Sequence, residues 1–165
     1  MTSKFFETVH IVTFEDTNLV GNVYYSNYFS WQGRAREMFL RTYAPDTLHE
    51  LQTGKLRLVT AHASCDFADE FEAFDEVVIR MHLLKLIPFG VSLGFEYALQ
   101  QGIKDGESSH SVVARGRQDI KFLRRQYIPS TQGSPIIAEE FGSNTRWDLA
   151  EIPTQLLHAI QPFMA

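Results

Sequence analysis

Five segments of this chain alternate with the two-residue period of a half-buried strand, and only one stretch of comparable length reads as a helix. That ratio most constrains the fold. The strand candidates are Phe5 to Phe14, Val59 to Phe67, Val77 to Leu83, Val91 to Leu99 and Ser111 to Phe122. The helix candidate runs from Tyr28 to Tyr43 and is crowded with Phe29, Trp31, Met38, Phe39 and Leu40, so it needs burial on most sides. An antiparallel sheet with one long helix packed on it satisfies both demands, which makes the fold class α+β. With 165 residues, 44% of them hydrophobic, the chain can fill one sizeable core, and residues 1–165 are expected to form a single domain.

Local signals fill in the rest. Val59, Ala61, Ala63, Cys65 and Phe67 are expected on one face of their strand, and Val112, Ala114, Ile120 and Phe122 on one side of theirs, with Arg115, Arg117 and Asp119 opposite. Gly102-Ile103-Lys104-Asp105-Gly106 reads as a hairpin connection. Pro45 ends the long helix, and Asp46 to Gln52 forms a short one closed by Gly54. Beyond Arg125, Pro129-Ser130 and Gly133-Ser134-Pro135 mark a loop, followed by an amphipathic tail helix from Ile152 to Met164.

Charge and cysteine content exclude several functions. A net charge of -5 argues against general nucleic-acid binding, which needs a basic face to displace counterions. No apolar run approaches a membrane span, and Met1 to Glu7 is too short and polar for a signal core, so neither nucleic acid nor membrane is an expected partner. The lone Cys65 rules out an internal disulfide framework and suits a reducing cytoplasm, the expected location. The six histidines show no HxxxH or HExxH spacing, and GxGxxG, GxxxxGK[ST] and GxSxG are absent, so no metal and no resident cofactor is expected.

The chemistry-bearing residues concentrate between the first strand and the helix, in Asn18-Leu19-Val20-Gly21-Asn22-Val23-Tyr24-Tyr25-Ser26-Asn27-Tyr28. Gly21 suits a left-handed turn or a close backbone approach to a ligand, and the helix start near Tyr25 to Tyr28 offers N–H groups to a developing anion. Turn-forming asparagines and core tyrosines explain the same residues without a ligand. Tyr28, Gln32 and Arg36 recur at four-residue intervals, a polar stripe on an aromatic helix. Arg36 there requires a carboxylate, a carbonyl, a bound anion or a path to water. Gly33 on the same helix reads as room for a neighbouring backbone or ligand.

The stretch from Phe14 to Arg36 resembles the hot-dog thioesterases of the 4-hydroxybenzoyl-CoA thioesterase type. Their signature is an aspartate, two residues, Gly-x-Val, aromatics, Tyr, then a helix carrying Ala-Arg. This chain has Asn18 in the aspartate's place, then Gly21-x-Val23-Tyr24-Tyr25, Tyr28 and Ala35-Arg36, with Gln32 where Glu is frequent. With weaker matches at Asp75 and Phe89-Gly90, the resemblance spans roughly three-quarters of the chain. Loss of the acid with retention of Arg36 is most similar to the thioesterases that accompany enediyne-type iterative polyketide synthases.

The resemblance implies a hot-dog fold, dimers joined edge to edge, a homotetramer built as a dimer of dimers, and release of a β-keto polyene acyl chain from an acyl carrier protein, the substrate being carried on phosphopantetheine. Because an Asn amide cannot serve as a general base, the expected catalysis rests on donors to the oxyanion. Asn18, Arg36 and backbone N–H groups near Tyr25 supply them, while Tyr28 orients the acyl carbonyl or the water. Gly21, Val23, Tyr24 and Gln32 are expected at the substrate, and Phe29, Phe39, Phe67, Leu93 and Phe95 line the acyl channel or form ordinary core. Lys121, Arg124 and Arg125, with Arg115 and Arg117, form a basic concentration suited to a phosphopantetheine phosphate or an acidic carrier protein, or to guarding an edge strand. Two other functions share this fold: a general acyl-CoA thioesterase and a non-catalytic acyl-binding protein.

Overall fold

The computed structural model describes residues 4–104, 107–127 and 145–164. Its strands are β1 (Phe6–Ile11), β2 (Leu56–Phe67), β3 (Glu76–Ile87), β4 (Gly90–Lys104), β5 (Glu107–Tyr127) and β6 (Thr145–Leu149). The helices are α1 (Tyr25–Tyr43), α2 (Pro45–Gln52) and α3 (Thr154–Ile160). All strands pair antiparallel in one sheet of order β1-β3-β4-β5-β2, with β6 also on β5. A long helix held against a curled antiparallel sheet is the hot-dog arrangement that the resemblance implies.

The core lies between α1 and the sheet. Tyr28, Trp31, Ala35, Phe39 and Leu40 of α1 are buried against Met81 and Leu83 of β3, Leu93, Phe95 and Tyr97 of β4, and Ile120 and Phe122 of β5. The Tyr97 hydroxyl donates to the Tyr28 carbonyl at 2.8 Å, so the helix is pinned to the sheet by a buried hydrogen bond as well as by apolar packing. α2 begins with Pro45 at its first turn and ends near Gly54, as its signals require.

Several expectations need correction. β2 is an edge strand, and Val59, Ala61 and Ala63 are exposed rather than half-buried. A register shift between Thr60 and His62 moves Val59 and Ala61 off the face shared by Ala63, Cys65 and Phe67, a bulge that strict alternation cannot register. A second shift, between Tyr97 and Ala98, leaves Val113 rather than Val112 buried beside Ala114. The tail helix is shorter than expected, with a 3-10 turn over Gln161–Phe163. The strand β6 was not expected at all. The turn residues Asp105 and Gly106, and the loop signals from Pro129 to Pro135, lie outside the described residues.

Candidate active site

The segment leading into α1 is tied down by backbone bonds. Asn18 N–H donates to the Asn22 carbonyl at 2.9 Å, Gly21 N–H to the Asn18 carbonyl at 3.1 Å, and Val23 N–H to the Phe71 carbonyl at 2.9 Å. Gly21 sits at φ +96, the left-handed conformation anticipated for it. The Asn18 side chain closes the same turn, its Oδ1 accepting from Val20 N–H at 2.9 Å. With Oδ1 so engaged, the donors that this amide can turn toward a ligand are those of Nδ2.

Asp16 anchors the base of the loop. Its carboxylate accepts from Thr13 N–H at 2.8 Å and lies 3.1 Å from His10 Nε2, while its carbonyl accepts from Asn27 Nδ2 at 2.8 Å and from Tyr24 N–H at 2.9 Å. Burial opposes ionisation of this carboxyl, but the bonds from Thr13 and His10 outweigh it and hold the group below the usual carboxylate range. Asp16 was not singled out in the sequence. An aspartate beside a helix start has capping as its ordinary use, and only the three-dimensional contacts distinguish it.

Asn18, Asn22, Val23, Tyr24, Tyr25, Tyr28 and Phe67 line one cavity of about 280 Å³, together with Asp69 and Glu70. Tyr24 and Tyr25 lie exposed at its rim with ring centroids 4.7 Å apart, and their mutual hydrogen bond raises the Tyr24 phenol. Tyr28 is buried. Burial first, then the neighbouring Cys65 and Glu70, push its phenol well up, so it keeps its proton and serves as a hydrogen-bond donor while accepting from Phe71 N–H. The buried Asn22 Oδ1 has no protein partner. Asn22, Asp69 and Glu70 extend the expected residue set; the last two follow the second strand by only two or three positions, where nothing in the sequence shows that the loop folds back over Asn18.

Arg36 lies elsewhere. It stands eight residues beyond Tyr28 on α1, about 12 Å along the helix, and borders a separate apolar slot with Phe39, Leu58 and Leu93. Its Nη1 donates to Gln118 Oε1 at 3.0 Å. Burial pulls the guanidinium below its ordinary pKa, yet an arginine stays charged in proteins. Its buried Nε has no hydrogen-bond partner among the described residues, so the side chain retains a donor for a ligand. Among the described residues of one chain, then, no cavity is lined by both Asn18 and Arg36. Gln118, only 4% exposed on β5, is the missed partner; its place in the sequence between charged residues hid its inward aim.

Between the two cavities sits Gln32, fully buried, donating to the Ser64 carbonyl at 3.3 Å and reaching the Tyr97 phenol. It lines neither cavity, and neither do Gly21, Phe29 or Phe95. A Cβ on Gly116 would stand 2.2 Å from Gln32 Nε2, so the absence of a side chain there makes room for the amide. Gly33, by contrast, faces open space, with no neighbour among the described residues. Burial pushes the Cys65 thiol up to about 12, which fits a packed residue rather than a nucleophile. Among the described residues no group of His, Cys, Asp and Glu is arranged to hold a metal, and no helix is long and apolar enough to cross a membrane.

Three of the five side chains in the basic concentration are paired with acids. Arg117 pairs with Asp119 at 2.8 Å, Arg124 with Glu50 at 2.8 Å and Arg115 with Glu96 at 3.4 Å, while Lys121 donates to the Pro88 carbonyl. Nor does β5 form an edge, since β4 and β2 flank it.

Comparison with known proteins agrees with this geometry. The model of the thioesterase-like superfamily matches residues 12–160. The dynemicin thioesterase, solved in a study of induced-fit and allosteric effects upon polyene binding, is 32% identical, covering 98% of this chain and 99% of its own, with a TM-score of 0.77. An aspartate-to-asparagine mutant of 4-hydroxybenzoyl-CoA thioesterase, complexed with 4-hydroxybenzoyl-CoA, has the same fold at 14% identity, covering 96% of this chain and 100% of its own, TM-score 0.70. So does a 1,4-dihydroxy-2-naphthoyl-CoA thioesterase from Synechocystis, at 18% identity over 95% of this chain and 96% of its own, TM-score 0.67. No curated protein matches. The chain belongs to the thioesterase-like superfamily and is a hot-dog thioester hydrolase.

Proposed function

We propose that this enzyme hydrolyses a β-keto polyene acyl thioester held on the phosphopantetheine of an acyl carrier protein, releasing the product of an enediyne-type iterative polyketide synthase. The observation that carries the reading is the donor set itself. Asn18 stands where related thioesterases have an acid, beside the un-ionised Tyr28 phenol, and a charged Arg36 borders an apolar slot. Likeness to the dynemicin thioesterase supports the same substrate class.

The two cavities become one site if the enzyme is a dimer joined along β2, whose free edge exposes Val59, Ala61 and Ala63. Pairing of β2 with its own copy about a two-fold axis is antiparallel, so the Phe67 end of one strand meets the Leu56 end of the other. Phe67 lines the Asn18 cavity and Leu58 lines the Arg36 slot. Each site then combines Asn18, Tyr25 and Tyr28 of one chain with Arg36 of the other. A further pairing of such dimers gives a tetramer.

Water attacks the thioester carbon while the oxyanion accepts from the Asn18 amide, from N–H groups in the first turn at Tyr25 and from the Tyr28 phenol. The C–S bond breaks, and the departing pantetheine thiolate takes up the proton released by the water. Arg36 holds the β-carbonyl and then the released carboxylate, which can lose carbon dioxide through its own cyclic transition state. Positioning supplies much of the rate.

The test compares release of acyl chains from loaded carrier protein with hydrolysis of the matching acyl-CoA. Faster release from the carrier is expected. Equal or faster hydrolysis of acyl-CoA would reassign the enzyme as a general acyl-CoA thioesterase, and tight acyl binding with no thiol release would make it a binding protein.

A further inference from the structure

The slot beside Arg36 is lined in part by residues that belong neither to the helix α1 nor to the strands. Leu156 and Ile160, four residues apart on one face of α3 and 3% and 2% exposed, form that wall. The side walls are Phe39 and Leu40 of α1 and Met81, Val91, Leu93, Ile120 and Phe122 of the sheet. About 10 Å³ is free inside, barely the room of one water molecule, so an entering acyl tail must push side chains aside. The sheet cannot yield cheaply, because long antiparallel ladders tie β3 to β4 and β4 to β5.

The α3 wall is held differently. Gln155, next to Leu156, turns to α2: its Oε1 accepts from Asp46 N–H at 2.8 Å and Thr47 N–H at 3.3 Å, and its Nε2 donates to Asp46 Oδ2 at 2.8 Å. This side chain caps the N-terminus of α2, which has no cap from its own Ala44. Below α3, Phe163 packs edge-on against Phe39 with centroids 5.3 Å apart, and a single bridge joins Leu83 to Met164. α3 is therefore a short apolar segment held by the Gln155 side chain, by the packing of Phe163 on Phe39 and Tyr43, and by the Leu83–Met164 bridge.

We propose that Leu156 and Ile160 of α3 form the end stop of the acyl slot and set the length of chain that the enzyme accepts. The inference rests on the proposed function in taking the slot as the place of the acyl tail. A tail that reaches α3 either stops there or displaces Leu156 and Ile160; a larger or smaller side chain at these positions moves the stop while Asn18, Tyr28 and Arg36 themselves are left unsubstituted.

The experiment uses the full-length protein with Leu156→Ala, Leu156→Trp, Ile160→Val and the volume-conserving Leu156→Met, each checked for folding by circular dichroism. Two series are measured: binding of linear polyunsaturated carboxylic acids of increasing length by calorimetry, and hydrolysis of the corresponding thioesters. Leu156→Ala and Ile160→Val are expected to favour longer chains, Leu156→Trp shorter ones, and Leu156→Met to resemble the parent, with relative kcat/KM or affinity changing roughly tenfold per added or lost group at the stop. An unchanged length profile in the folded Leu156 and Ile160 variants overturns the proposal. Shifted binding profiles with no hydrolysis by any form, parent included, leave the stop standing and defeat the hydrolytic reading instead.

Discussion

Arg36 Nη1 donates to Gln118 Oε1 across 3.0 Å, joining the middle of α1 to strand β5. Among the described residues the next contact of the guanidinium on the sheet is Thr60 Oγ1, at 3.5 Å. A buried charge without its acceptor is costly, so Gln118 both lowers that cost and aims the side chain along the slot.

Gln118→Leu is therefore expected to leave a folded enzyme whose kcat/KM falls about tenfold, while Arg36→Ala loses about 10²–10³. Steady-state kinetics with a loaded carrier protein check both. A Gln118→Leu enzyme as active as the parent means that Arg36 is aimed without its help.

A site shared between two chains makes a sharper prediction. Asn18→Ala and Arg36→Ala proteins should each be nearly inactive, yet after mixing and subunit exchange, activity should recover to at most about one quarter of the parent's, because half the dimers are mixed and each holds one intact site. If Asn18 and Arg36 of the same chain act together, the mixture stays as inactive as its components. Product release assayed before and after exchange distinguishes the two.

Much of this was legible in the sequence, and the exceptions share a cause. The aromatic crowding of α1, the alternation in β3 and β4 and the turn chemistry around Asn18 and Gly21 are local signals, and local structure obeys them. What local pattern does not encode is the count of residues across a bulge. One extra residue near Ala61 moves Val59 to the other face, and the edge position of β2 exposes residues that alternation would bury. The strand β6 has five residues and follows a segment of turn formers, so it carries too little pattern to stand out. The stripe of Tyr28, Gln32 and Arg36 is real as helix geometry, but its members serve three different surroundings: a cavity, a sealed junction with β2, and an apolar slot. Spacing places side chains on one face and says nothing of what the opposite wall offers.

Gly116 tests that sealed junction. A methyl group there meets Gln32 Nε2 at 2.2 Å with the Ser64 carbonyl at 3.3 Å, so Gly116→Ala must dislodge the Gln32 amide and strip a buried donor of its acceptor. A loss of about 1–3 kcal/mol is expected in chemical denaturation. The double variant Gly116→Ala/Gln32→Ala should be less destabilised than the sum of the two single changes, since the clash is gone. Additive losses would show that the methyl group is accommodated in another way.

Asp16 gives stability a pH dependence of known sign. Its carboxyl is held below the value of 3.8 that it has when unfolded, so its contribution is complete above that value and is lost as pH falls through the lower folded one. Asp16→Asn weakens the bonds to Thr13 N–H and His10, and should cost about 1–2 kcal/mol near neutral pH. Denaturant titrations of parent and variant should begin to converge once pH falls below 3.8 and meet only below the still lower folded value, where the parent's carboxyl is protonated in both states. A gap that stays constant to the lowest pH at which the fold survives would mean that the loop is anchored by the Asp16 carbonyl, through Asn27 and Tyr24, rather than by its charge.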